Sequence, residues 1–139
     1  MHENPSRDQI KEILKQAETV AVVGLSDKSD RTSYMVSEAM QKRGYTIIPV
    51  NPNAEEILGQ KSYKSLMDIP QSVDIVNVFR RSEYTAPVAK EAVEIGAKVL
   101  WLQLGIENEE SAQIAKDGGL EVIMDRCIKV EDSILNPKS

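Results

Sequence analysis

Apolar residues recur along the chain in two alternating patterns. Pro5 precedes Ser6-Arg7-Asp8-Gln9, which fits a capping box, and Ile10, Ile13, Leu14 and Ala17 follow on one helical face, so the spacing predicts a helix over 5–17. Thr19 to Leu25 then has apolar side chains on both parities, as in a strand buried on both faces. A helix from about Ser33 to Arg43 is expected to turn Met35, Val36, Ala39 and Met40 inward, with Gly44 in the stop position. Tyr45 to Val50 reads as the second strand and ends at Asn51-Pro52-Asn53. Residues 51–72 are irregular and predict short elements crossing the sheet.

Val73 to Phe79 reads as the third strand. Ala86-Pro87 opens a helix stopped by Gly96, and Lys98 to Leu104 forms the fourth strand. Asn108 caps a helix with Glu109 and Glu110 in its first turn, where the helix dipole favours acids. Gly118-Gly119 ends it, Leu120 to Met124 is the fifth strand, and a short helix is expected within Val130 to Leu135. Asn136 to Ser139 reads as a loose tail. The junctions Arg43-Gly44-Tyr45, Ile95-Gly96-Ala97 and Asp117-Gly118-Gly119 repeat one helix–glycine–strand plan. Strands alternating with helices imply a five-stranded parallel sheet in a three-layer αβα sandwich, doubly wound and Rossmann-like. The favoured strand order is 3-2-1-4-5.

Length and composition narrow the chemistry. At 139 residues one domain spanning 1–139 is expected. Aromatics are 4% of residues, so the core is aliphatic, and Phe79 and Trp101 stand out as single members of their type. Trp101 falls inside a strand and is expected in the core. The chain has one histidine, His2, on a terminus expected to fray, and one cysteine, Cys127. No Ser-His-Asp, Cys-His or zinc constellation can be assembled without His2, so neither a catalytic set nor a metal site is expected. One cysteine permits no internal disulfide, which fits a reducing cytoplasm. No apolar run reaches the ~20 residues of a membrane span, and no signal peptide is evident. The net charge of −5 disfavours nucleic acid as a partner.

Ligands of open α/β sheets bind beyond the carboxyl ends of the strands, where strand order reverses. The first loop there, Gly24 to Ser33, carries hydroxyls and the cations Lys28 and Arg31 into a helix N-terminus, which suits an anion. It matches neither the dinucleotide fingerprint nor a P-loop. Taken alone, Gly24 reads as a tight strand exit, and Ser26 and Ser33 as helix caps. Asn51 stands at the end of strand two, where NAD-binding folds place a carboxylate. Phe79-Arg80-Arg81 adds a flat ring and two guanidinium groups suited to phosphate.

These stretches together resemble stand-alone CoA-binding proteins, similar to the N-terminal nucleotide-binding domain of the succinyl-CoA synthetase alpha subunit. The resemblance rests on Val22-Val23-Gly24-Leu25-Ser26 with Arg31 and Ser33, on Ile48-Pro49-Val50-Asn51-Pro52, and on Val78-Phe79-Arg80-Arg81. Val99 to Gly105 and Met124-Asp125-Arg126-Cys127 extend it, over about residues 17–130. It implies a Rossmann-like fold and a coenzyme A or acyl-CoA ligand. Gly24, Leu25, Ser26, Asp27, Lys28, Ser29, Arg31 and Ser33 would follow the pyrophosphate and pantetheine. Val50, Asn51 and Pro52 would lie near the adenosine, with Phe79, Arg80 and Arg81 opposite. The synthetase loop is richer in glycine, and its phosphohistidine lies in a separate domain. The expected role is therefore non-catalytic sensing or carriage of the ligand, with no protein partner legible. The alternatives are an NADP-dependent oxidoreductase and a small acyl or thiol transferase using Cys127. Cys127 reads either as a small buried residue or as a thiol partner of the ligand, two strands (~10 Å) from strand one.

Overall fold

The computed structural model describes residues 1–136. Among these residues the strands are β1 (Thr19–Val23), β2 (Thr46–Val50), β3 (Glu56–Ile57), β4 (Gln60–Lys61), β5 (Ile75–Val78), β6 (Val99–Leu102) and β7 (Glu121–Ile123). The helices are α1 (Arg7–Gln16), α2 (Thr32–Lys42), α3 (Ala86–Glu94), α4 (Glu109–Asp117) and α5 (Ile128–Leu135). The five long strands are parallel, and β3–β4 form a separate antiparallel hairpin within the irregular segment. The architecture is the expected Rossmann-like αβα sandwich. Ala21, Val23, Val76, Val78, Leu100 and Leu102 face α3 and α4, whose buried residues include Ala89, Ala92, Ala112 and Ala115. Val20, Val22, Ile75, Val99 and the fully buried Trp101 face Leu14 of α1, Val36 and Met40 of α2 and Ile128 of α5.

The strand order is β2-β1-β5-β6-β7, which corrects the expected 3-2-1-4-5. Counting the five long strands along the chain, it is 2-1-3-4-5. Two local causes are visible. Pro49 lacks an N–H, so β2 suits an edge, and that edge is covered by Tyr63. The Tyr63 N–H donates to the Pro49 carbonyl at 3.0 Å, and the Asn51 N–H donates to the Tyr63 carbonyl at 2.9 Å. The third long strand is fastened beside β1 by Asp74, whose Oδ2 accepts the N–H groups of Glu18 (2.8 Å) and Thr19 (3.0 Å).

Burial by itself would raise the Asp74 carboxyl. The two amides and Lys98 outweigh that and hold it below its ordinary value. A depressed carboxylate stabilises the fold above the unfolded pKa, about 3.9, and this contribution is lost as pH falls through the lower folded value. Asp74→Asn is therefore expected to lose less stability than the wild type between about pH 5 and pH 2, read as urea midpoints. Parallel pH curves for the two proteins would contradict this role.

Both ends of the chain depart from expectation. The N-terminal segment is tied to the exit of β7: the Asn4 amide donates to the Met124 carbonyl and accepts its N–H, both at 2.8 Å. His2 is thereby held beside α4, its backbone N–H donating to Glu109 Oε1 at 2.6 Å. Asn136, assigned to a loose tail, is buried and donates through Nδ2 to Asp132 Oδ1 and to the Tyr45 hydroxyl, both at 3.3 Å. The rest of that tail, 137–139, lies outside the described residues. The last helix starts at Ile128, earlier than expected. No helix among the described residues is long and apolar enough to cross a membrane.

Candidate functional site

With β5 beside β1, the reversal of strand order falls between these two strands. Their exits touch. The Phe79 N–H donates to the Val23 carbonyl at 2.9 Å, and the Gly24 N–H donates to the Val50 carbonyl at 3.1 Å. Gly24 has φ +87°, and a Cβ there would stand 2.5 Å from the Phe79 carbonyl oxygen. Glycine is required at this point both by conformation and by space. The next residue, Leu25, is fully buried, and its carbonyl accepts Asn51 Nδ2 at 3.0 Å. Asn51 Oδ1 accepts the Asn53 N–H at 2.8 Å. The amide at Asn51 thus ties the exits of β1 and β2 together.

Beyond Leu25 the chain turns into α2. Ser26 Oγ accepts the Lys28 N–H at 3.1 Å, and the Ser26 N–H donates to Ser33 Oγ at 3.0 Å. Arg31 holds the N-cap position but supplies no capping side-chain bond. The first-turn N–H groups of α2 therefore lack the side-chain acceptor that Ser6 gives α1 and Asn108 gives α4. A cavity of about 400 Å³ opens there, lined by Gly24, Ser26, Lys28, Arg31, Thr32, Ser33 and Phe79. Two cations, a helix N-terminus and one aromatic ring make it chemically suited to a phosphorylated ligand with a flat or extended part.

Two further cavities open at the carboxyl ends of the strands. One, of about 360 Å³, runs under α3 and is lined by Val23, Val50, Lys64, Arg80 and Tyr84 among others. The other, of about 540 Å³, lies outside β2 and is lined by Pro52, Asn53, Lys61 and Lys64 among others. Lys64 borders both. A cleft of about 190 Å³ at the opposite end of the sheet is lined as much by polar residues as by aliphatic ones, and its Lys98 is engaged by Asp74 at 3.5 Å.

The structure brings Gly24, Ser26, Lys28, Arg31, Ser33 and Phe79 to one cavity and puts Val50, Pro52 and Arg80 on the other two. Asp27 and Ser29 are exposed on the loop, and Leu25 contributes its backbone to the rim while its side chain fills the core. Arg81 lines none of these cavities and instead precedes a short 3-10 turn, Ser82–Tyr84. Lys61, Lys64 and Tyr84 were not expected on the rim from the sequence. For the two lysines the signal was Pro49: a proline that marks β2 as an edge also places the 51–72 segment against it.

Cys127 is half-buried at the N-cap of α5. Strand β7 lies three strands from β1, not two, but the chain after β7 doubles back over β6. The Arg126 carbonyl accepts Trp101 Nε1 at 2.8 Å, and the Ile128 N–H donates to Gln103 Oε1 at 2.9 Å. Cys127, between these two anchors, sits above β6.

A family model described as CoA binding domain matches residues 18–133. An uncharacterised protein of Bacillus subtilis (strain 168), YneT, is 55% identical over 132 residues, covering 95% of this chain and 98% of that protein. The alpha subunit of an ADP-forming acetate–CoA ligase II from Pyrococcus furiosus is 27% identical over 128 residues, 84% of this chain; the match spans 28% of that subunit. A hypothetical protein from Pyrococcus horikoshii OT3 superposes with a TM-score of 0.91 at 34% identity, covering 97% of this chain and 99% of that one.

Proposed function

This chain belongs to the CoA binding domain family, and on that premise we propose that it binds coenzyme A or an acyl-CoA along the β1/β5 rim, as a sensor or carrier without chemistry of its own. The observation that carries the reading is the uncapped N-terminus of α2, opening beside Lys28, Arg31 and Phe79 at the strand-order reversal. The pyrophosphate is assigned to that cavity, where N–H groups and guanidinium offset its charge. The adenosine and its ribose phosphate are assigned to Pro52, Lys61 and Lys64 outside β2. Asn51 fits this assignment, since it brings no carboxylate near that phosphate and its amide is engaged by Leu25.

Arg31→Ala and Arg80→Ala are each expected to remove a charge-assisted hydrogen bond worth ~1.5–3 kcal/mol, about 10- to 100-fold in affinity. Calorimetric titration checks this, and unchanged affinity in both variants would remove those residues from the site. The ligand class is tested by thermal shift with CoA, acetyl-CoA and NADP. CoA is expected to raise the Tm and NADP to leave it unchanged. Stabilisation by NADP without stabilisation by CoA would overturn the reading.

A further inference from the structure

Resting on the CoA reading, we infer that Cys127 is a thiol-exchange site for the pantetheine end of the ligand. Its anchors place it directly. The Arg126 carbonyl bonds Trp101, which is in register with Asn77 of β5. The Ile128 amide bonds Gln103, whose N–H donates to the Val78 carbonyl beside Phe79 at 3.3 Å. Cys127 lies between them, over β6, the strand next to β5. Phe79 and Cys127 pack against the same apolar cluster.

A second observation points to a ligand there. Asn77 projects from β5 onto the face that α5 covers; it is 1% exposed, and its Oδ1 has no hydrogen-bond partner. Glu131 stands one turn after Cys127 on the buried face of α5; it is 3% exposed, and its Oε1 is also unpartnered. Two buried acceptors thus border the layer that holds the thiol, and leaving such groups unpaired is costly. A pantetheine arm carries amide N–H donors and ends in a sulfur, so it matches both needs.

The co-reactant is the symmetrical disulfide of CoA. The Cys127 thiolate attacks one of its sulfurs, forming the Cys127–ligand S–S bond as the ligand S–S bond breaks. The displaced CoA thiolate takes up the proton that Cys127 released. No net oxidation occurs, and a thiol reductant reverses the step. The rim would thereby hold CoA covalently when its disulfide accumulates.

The test is intact-mass analysis after incubating the protein with CoA disulfide, with glutathione disulfide as the comparison. One CoA adduct is expected, mapping to Cys127, absent in Cys127→Ser and removed by dithiothreitol. Because binding raises the local concentration, it should form at least about tenfold faster than the glutathione adduct. The nucleotide half of CoA, lacking the pantetheine arm, should slow the CoA adduct and leave the glutathione adduct unaffected. Equal rates for both disulfides, without protection by the nucleotide, would reduce Cys127 to an ordinary accessible thiol and overturn the inference. No adduct despite reversible CoA binding by calorimetry would overturn it while leaving the functional reading intact. No CoA binding to the reduced protein would overturn both.

Discussion

Asp132→Ala is expected to destabilise the protein by roughly 3–5 kcal/mol, the range seen when one partner of a buried ion pair is removed. Asp132 is fully buried on α5 and gathers groups from three parts of the chain. Arg43, at the end of α2, donates through Nε to Asp132 Oδ2 and through a terminal nitrogen to the carbonyls of Asp132 (3.2 Å) and Asn136 (2.9 Å). The Tyr45 hydroxyl lies 2.5 Å from Asp132 Oδ1 and 3.0 Å from the Leu14 carbonyl, joining α1 to the same node. Alanine would take the carboxylate from a half-buried guanidinium and a buried phenol together, leaving Arg43 the carbonyls of Asp132 and Asn136 and Tyr45 that of Leu14. Against a typical stability of about 5–15 kcal/mol this is a large fraction.

Burial, followed by the hydrogen bond and charge of Asp132, pushes the Tyr45 hydroxyl well above its ordinary value. It stays protonated in the fold, and its contribution is lost only as pH rises above about 10, where the unfolded chain releases that proton. Urea unfolding of Asp132→Ala and Asp132→Asn measures the node. Asparagine, which keeps the shape but not the charge, should fall between alanine and wild type. Both variants within about 1 kcal/mol of wild type would show that the node does not hold α5 in place.

Gly24→Ala is the second large effect, and it couples stability to the site. An L-residue at φ +87° carries backbone strain of about 1–3 kcal/mol. The added Cβ also meets a backbone oxygen, that of Phe79, at 2.5 Å, which no side-chain rotation can relieve. Relief requires the β5 exit to move off β1 and break the Phe79–Val23 hydrogen bond, adding about 1 kcal/mol. A total of roughly 2–4 kcal/mol is expected, with Phe79 and Arg80 displaced and CoA affinity falling at least about tenfold. Gly96→Ala is the control. Gly96 has φ +74°, and a Cβ there would meet nothing within 4 Å, so it incurs the strain without the clash. Equal stability losses in the two variants, with CoA affinity retained in Gly24→Ala, would show that the contact between the two strand exits is not needed.

Most of the fold was legible because its determinants are local. The capping box at Ser6 and Gln9, the Asn108 cap and the apolar strands each depend on a few neighbouring residues, and each formed as the sequence implies. The strand order was not legible from periodicity, because every long strand is buried on both faces and nothing in that pattern ranks them. What decided it were Pro49, which marks an edge, and Asp74, which bonds backbone amides more than fifty residues away. The candidate site followed suit. Its loop residues were readable from Gly24 to Ser33, whereas Lys61 and Lys64 reach the rim only because Tyr63 pairs with β2. Cys127 illustrates both halves: its place on the rim was expected, but its position over β6 depends on Trp101 and Gln103 reaching two backbone groups after β7.

The meeting of β1 and β5 is proposed to make a CoA site at the N-terminus of α2. Calorimetric titration of CoA into the reduced wild-type protein and into Arg31→Ala tests it most directly. Saturable binding of one CoA per chain is expected, weakened about 10- to 100-fold by the substitution. Absence of binding to the wild type, or binding of equal strength to both proteins, would contradict it.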